Sequence, residues 1–220
     1  LNLSVGFTDE RDRKPLLPKD TLPAQLDIDA ARRRLKELGG VPGGNPLTKE
    51  RVALGRRLFF DPVLSKDRTV SCASCHQPEH GFASPDPQAV GIRGQVGKRN
   101  APTVLNRGLS TLQFWDGRAA SLEEQALQPI GNSAELDHSV EGVVADLKRD
   151  SNYVDLFAVA FAEPDRENDE ATTKYVTAEN LAKSLASFQR TLLTDETVVD
   201  EFQRGVYSAL STDERQGLWI

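Results

Sequence analysis

The run Ser71-Cys72-Ala73-Ser74-Cys75-His76 decides how this chain is read. Its pattern is C-x-x-C-H, the attachment signature of a c-type haem. The spacing follows from the chemistry. Each thiol adds to one vinyl group of the porphyrin, so both sulfurs must reach one edge of the ring. The histidine follows at once and swings under the iron as an axial ligand. Cys72 and Cys75 are the only 2 cysteines among 220 residues. A disulfide between them would close a loop too short to stabilise much. A thioredoxin-like pair would sit beside a βαβ pattern, and none is visible. A structural zinc site wants four ligands, and there is no second cysteine pair. One covalent haem c, held by Cys72, Cys75 and His76, is therefore expected. Haem of this kind is attached outside the cytoplasm, so a periplasmic or otherwise exported location is expected with it.

The other face of the iron is the next question. Electron-carrying c-type cytochromes commonly use Met there, and this chain has no Met. Two further histidines remain, His80 and His138. His80 follows His76 by only a few residues and is poorly placed to reach the opposite face. His138 is far enough away in sequence to do so, but it also reads as a polar residue just before a helix. An iron with an open or water-occupied face binds peroxide or another small ligand, which favours an enzyme over an electron carrier. A cap supplied by a partner is the alternative.

Composition sets outer limits. Apolar residues make up 38% and charged residues 27%, as in a globular protein with a real core. No apolar run approaches the roughly 20 residues that cross a bilayer. The net charge of -6 argues against nucleic-acid binding and leaves room for a partner with a basic surface, such as a small redox protein. The chain starts at Leu1 without a Met, so a processed or trimmed product is expected.

Periodicity points to helices throughout. Residues 1–24 carry Pro15, Pro18 and Pro23 and read as an extended arm. Ile28, Ala31, Leu35 and Leu38 share one helical face, ended by Gly39-Gly40. Pro42, Gly43, Gly44 and Pro46 form a linker. Thr48 caps a helix running to Phe60, and Asp61-Pro62 stops it. Residues 77–118 show no helical period and are rich in Gly, Pro and Asn, so they read as a long loop of the kind that carries function. Ser121 and Glu124 form a capping box for a helix limited by Pro129. Ser139 caps the next, with Val140, Val143, Val144 and Leu147 as its stripe. Tyr153, Leu156, Phe157, Ala160 and Phe161 mark another, residues 163–174 a polar loop, and Thr177 the start of a last strong helix. No segment reads as a sheet. The expected fold is mainly α, a c-type cytochrome domain with long loops around a covalently bound haem.

Four segments carry a resemblance. They are Leu54-Gly55-Arg56-Arg57-Leu58-Phe59-Phe60-Asp61, Ser71 to His76, Arg99-Asn100-Ala101-Pro102-Thr103-Val104-Leu105-Asn106, and Gln113-Phe114-Trp115-Asp116-Gly117-Arg118. In this order they resemble the bacterial di-haem cytochrome c peroxidase family, which includes MauG, over about residues 45–220. In that family two cytochrome c domains face each other, the first haem being the peroxide site and the second an electron relay. The resemblance divides the chain into an N-terminal extension (1–44), a peroxidatic cytochrome c domain (45–195) and the start of a second cytochrome c domain not in the chain (196–220).

The resemblance also implies roles. Glu135 resembles the distal acid–base glutamate and Gln125 the distal glutamine. Splitting an O–O bond needs a proton moved from one oxygen to the other, and a carboxylate near the iron can do this. Trp115 resembles the tryptophan that relays electrons between the haems, Asn100 a ligand of an inter-domain calcium ion, and Pro129 a pocket proline. Several members carry a loop histidine that caps the resting haem; here Ile92 falls at that place. The implied activity is reduction of hydrogen peroxide, with electrons from a second haem domain or a small donor such as a cytochrome c or cupredoxin. The alternatives are a MauG-like oxidase of a partner protein and an electron-transfer cytochrome.

Overall fold

The computed structural model describes residues 28–37, 42–162, 172–194 and 197–218. The expected N-terminal arm, Leu38 with Gly39-Gly40, and most of the polar loop after residue 162 lie outside the described residues. Nine α-helices are found among the described residues: α1 (Ile28–Glu37), α2 (Lys49–Phe60), α3 (Cys72–Cys75), α4 (Leu122–Gly131), α5 (Val140–Arg149), α6 (Ser151–Phe161), α7 (Ala178–Thr191), α8 (Val198–Gln203) and α9 (Thr212–Gly217). There is no strand among them, only isolated bridges such as Val90 with Val96 and Gln113 with Ala119.

The frame is α7 packed between α2 and α4. Leu54, Leu58 and Phe59 of α2 are buried, as are Leu181, Leu185 and Phe188 of α7. Phe59 and Phe188 meet edge to face with centroids 5.2 Å apart. Gly55 lets the two helices approach, because a Cβ there would overlap the carbonyl oxygen of Ser184. A bidentate pair locks α4 to α7: Arg190 Nη1 and Nη2 donate to Glu123 Oε1 and Oε2 at 2.6 and 2.9 Å. Burial opposes ionisation of Glu123, but the Arg190 guanidinium outweighs it and holds the carboxyl below its usual range. Asn45, from the linker, donates to the same carboxylate (2.7 Å) and to the carbonyl of Lys183 (3.0 Å). On the other side of the frame, the buried Tyr153 hydroxyl donates to Asp61 Oδ2 at 2.6 Å and ties α6 to the end of α2.

The expected caps are present. The side chains of Thr48, Ser121, Ser139 and Thr177 accept backbone N–H bonds at the starts of α2, α4, α5 and α7. Two expectations need correction. Glu124 reaches back to the N–H of Ala120 rather than to that of Ser121, so the box at α4 is shifted by one residue. Pro129 does not end α4, which continues to Gly131. Its missing N–H costs the bond to the Gln125 carbonyl, and the helix runs only two residues further.

Between α3 and α4 the chain runs as turns. Short 3-10 turns at Pro78–His80, Ile92–Gly94 and Arg107–Leu109 and the isolated bridges fold this long loop against the frame. Left-handed Phe82, Arg93, Asn106 and Phe114 make its sharp reversals.

Candidate haem and peroxide site

A cavity of about 620 Å³ lies between the frame and the long loop. This is within the ~300–1,000 Å³ typical of cofactor clefts. Cys72, Cys75, His76, Asn100, Trp115, Gln125, Pro129 and Glu135 all line it. Every site residue expected from the sequence is thus gathered at one place. His80 and His138 are not in the lining. His80 ends an exposed 3-10 turn. His138 lies 3.5 Å from Asp146 of α5, with its ring packed against Gly142.

The lining around His76 fits a c-type haem. Both thiols are free, and they sit at the two ends of the single turn α3. Part of Cys72 faces the open cavity, yet protein surrounds it closely enough that burial pushes its thiol up to about 12. Burial and the Glu135 carboxylate raise the Cys75 thiol as well. Neither is the lowered thiol of a dithiol redox centre. His76 Nδ1 lies 3.2 Å from the carbonyl oxygen of Phe82 and 3.0 Å from that of Pro102. Both are acceptors, so Nδ1 carries the proton and Nε2 is left as the free ligand atom. Burial lowers the pKa of His76, which keeps the ring neutral as ligation requires.

Around Glu135 the lining comes from separate segments. Glu135 Oε1 accepts from Asn132 Nδ2 at 2.6 Å. Burial raises its pKa above the usual carboxylate range, while Asn132 and the Arg118 charge partly offset this. A carboxyl so poised can both take and return a proton. Gln125 lines the cavity from α4, a helical turn before Pro129.

Trp115 lines the cavity and is 63% exposed, and exposed Val96 belongs to the same lining. Its indole N–H donates to the carbonyl of Asn100 at 3.1 Å. The Asn100 amide donates to the carbonyls of Ser84 (2.9 Å) and Asp86 (2.7 Å). That fixes the loop and leaves one amide oxygen, far short of the six or more oxygens of a calcium shell.

The sequence reading gave no role to the cations here. Lys98, Arg99, Arg107 and Arg118 line the cavity and suit the two carboxylates that a haem carries. Arg118 packs over the Phe114 ring (3.5 Å to its centroid), and its Nε donates to Gln128. Arg99 and Arg118 hold the exposed Asp116 carboxyl down at about 2. A signal was available. Residues 91–118 carry Arg93, Lys98, Arg99, Arg107 and Arg118 against the single acid Asp116, in a chain of net charge -6.

A sequence model of the di-haem cytochrome c peroxidase family matches residues 49–208. The methylamine utilization protein MauG of Methylorubrum extorquens is 39% identical over 196 residues, covering 88% of this chain and 53% of that protein. The cytochrome c551 peroxidase of Pseudomonas aeruginosa is 37% identical over 175 residues, covering 80% and 48%. A crystal structure of a MauG-like protein associated with microbial copper homeostasis superposes with a TM-score of 0.67 at 31% identity, covering 80% of this chain and 50% of that one. The chain spans about half the length of the relatives it matches.

Proposed function

This chain belongs to the di-haem cytochrome c peroxidase family, and on that premise we propose that it is the peroxide-binding part of a haem c peroxidase. The observation that carries the reading is one cavity lined by His76, Glu135 and Gln125 but by neither of the other two histidines. No Met exists in the chain to fill the remaining iron position.

Cys72 and Cys75 would hold the haem edge and His76 Nε2 the iron. When bound, the haem supplies the metal that binds peroxide and passes on its oxidising equivalents. Glu135 would take one proton from the peroxide and return it to the oxygen that departs as water. Gln125 orients the peroxide by hydrogen bonding. Two electrons and two further protons complete the conversion of hydrogen peroxide to two waters. The electrons would enter from the second haem domain across the rim at Trp115, a route its exposed indole supports. Residues 45–195 form this peroxide-binding domain, and 196–220 lead toward the second. The outside donor is a small redox protein, and the protein works in the periplasm or another exported compartment. No helix among the described residues is long and apolar enough to cross a membrane.

The test is the low-temperature EPR spectrum of the ferric haem-loaded protein. A high-spin signal that changes on adding peroxide supports the reading. A purely low-spin signal means a strong sixth ligand and sinks it in favour of an electron carrier or a capped enzyme. A MauG-like oxidase of a partner protein is the second reading. It is favoured by buried Ile92 at the place of the capping histidine and by the 39% identity to MauG. A spectral change on adding a protein substrate after peroxide separates the two.

A further inference from the structure

Gly91 is buried at the start of the turn Ile92–Gly94, in the loop that follows the haem motif. A Cβ built on Gly91 would overlap the carbonyl oxygen of Ala134 and would lie 2.7 Å from Glu135 O and 2.8 Å from Glu135 Cα. No side chain fits in that space. The loop backbone therefore rests directly on the backbone of the residue whose carboxylate faces the cavity.

Further contacts make this a seat rather than a chance approach. The N–H of Ile92 donates to the carbonyl of Glu135 at 2.9 Å. Arg93 Nη1 pairs with Asp137 Oδ2 at 2.8 Å. From the other side, the N–H of Lys66 donates to the carbonyl of Leu136 at 3.0 Å. The loop is itself closed into a hairpin, with Gly91 N–H to Gln95 O at 2.8 Å and Ala89 N–H to Arg99 O at 3.1 Å. At its base Cys75 Sγ lies 3.5 Å from the carbonyl oxygen of Val90. One hairpin thus touches both a haem-attaching cysteine and the backbone of Glu135.

We propose that Gly91 is a positioning residue: its bare backbone seats the 89–99 hairpin on Ala134 and Glu135 and so fixes where the Glu135 carboxylate stands relative to the haem edge held at Cys75. The inference rests on the reading of Glu135 as the acid–base group. Without the seat, residues 132–135 form an exposed turn carrying a flexible side chain. A displacement of about 1 Å there costs on the order of 100-fold in rate. If Gly91 served packing alone, its replacement would lower stability and leave the chemistry of the surviving fold unchanged.

The experiment uses the haem-loaded protein with Gly91→Ala, Glu135→Gln and both together. Two rates are followed by stopped flow, the reaction with peroxide and the binding of cyanide. Hydrogen cyanide must lose its proton on binding, so cyanide reports the distal base without turnover. Glu135→Gln should slow both rates about 100-fold. Gly91→Ala should slow both by about tenfold or more, and the double variant should be no slower than Glu135→Gln alone. Arg93 is exposed, and a surface ion pair of this kind contributes about 0–1 kcal/mol, so the protein should fold without it. Arg93→Ala should slow both rates about threefold when Glu135 is present and not at all in Glu135→Gln. If Gly91→Ala fails to take up haem, the Arg93→Ala pair alone decides in the same way. Rates for Gly91→Ala within about twofold of the parent, or losses that multiply in the double variant, overturn the proposal. A Glu135→Gln protein with unchanged rates overturns instead the role of Glu135.

Discussion

The haem-attaching residues come from one uninterrupted run, Ser71–His76, whereas the lining on the Glu135 side is gathered from Arg118, Gln125, Pro129 and the turn at 132–135. The first is held by short-range bonds and the two carbonyls that accept from His76. The second depends on where α4 and the 89–99 hairpin come to rest. Attachment chemistry needs fixed covalent spacing, which a local sequence can encode. Proton transfer needs groups aimed from several directions, which only a folded chain can bring together.

The largest expected effect tests the local side. Cys72→Ala with Cys75→Ala should leave a haem that acidified acetone extracts completely, while the parent haem stays with the protein. The next tests the assembled side. Glu135→Gln should slow the peroxide reaction about 100-fold with the haem absorbance intact. The pH profile sharpens this. Glu135 must be ionised to take the proton, and burial raises its pKa. The rate should therefore fall as pH drops through a value above the usual carboxylate range, and this limb should vanish in Glu135→Gln.

Smaller effects are expected where the frame alone is touched. Gly55→Ala forces a methyl against the Ser184 carbonyl. Denaturant unfolding should show a loss of about 2 kcal/mol. Thr48→Ala removes the bond to Arg51 N–H at the start of α2 and should cost about 1 kcal/mol. In both variants the peroxide rate of the folded protein should stay as it is. A changed rate would show that frame and site are not separable.

The same division explains what was legible in the sequence. The haem motif, the longer helices and the caps at Thr48, Ser121, Ser139 and Thr177 were readable because each is written in neighbouring residues, while the short helices α8 and α9 were not read. Glu135 and Gln125 were found only through resemblance, since one acid and one amide on an ordinary amphipathic background carry no local mark. The shift of the α4 box to Ala120 and the passage of Pro129 inside that helix depend on backbone geometry that spacing does not reveal. Gly91 was invisible as well. Its left-handed neighbours Arg93 and Gly94 make the turn, while Gly91 itself has ordinary φ and is needed for a contact more than 40 residues away in sequence.

Asn100 bears on how the protein would age. Its amide N–H groups hold the carbonyls of Ser84 and Asp86, while its own backbone oxygen receives the Trp115 indole. Slow hydrolysis of that amide to an acid would turn two donors into acceptors facing two carbonyl oxygens. The loop would then be pushed away from Asn100 and the rim indole would lose its anchor. A stored sample would keep its haem colour while the rim at Trp115 loosened, so the damage would escape an absorbance check.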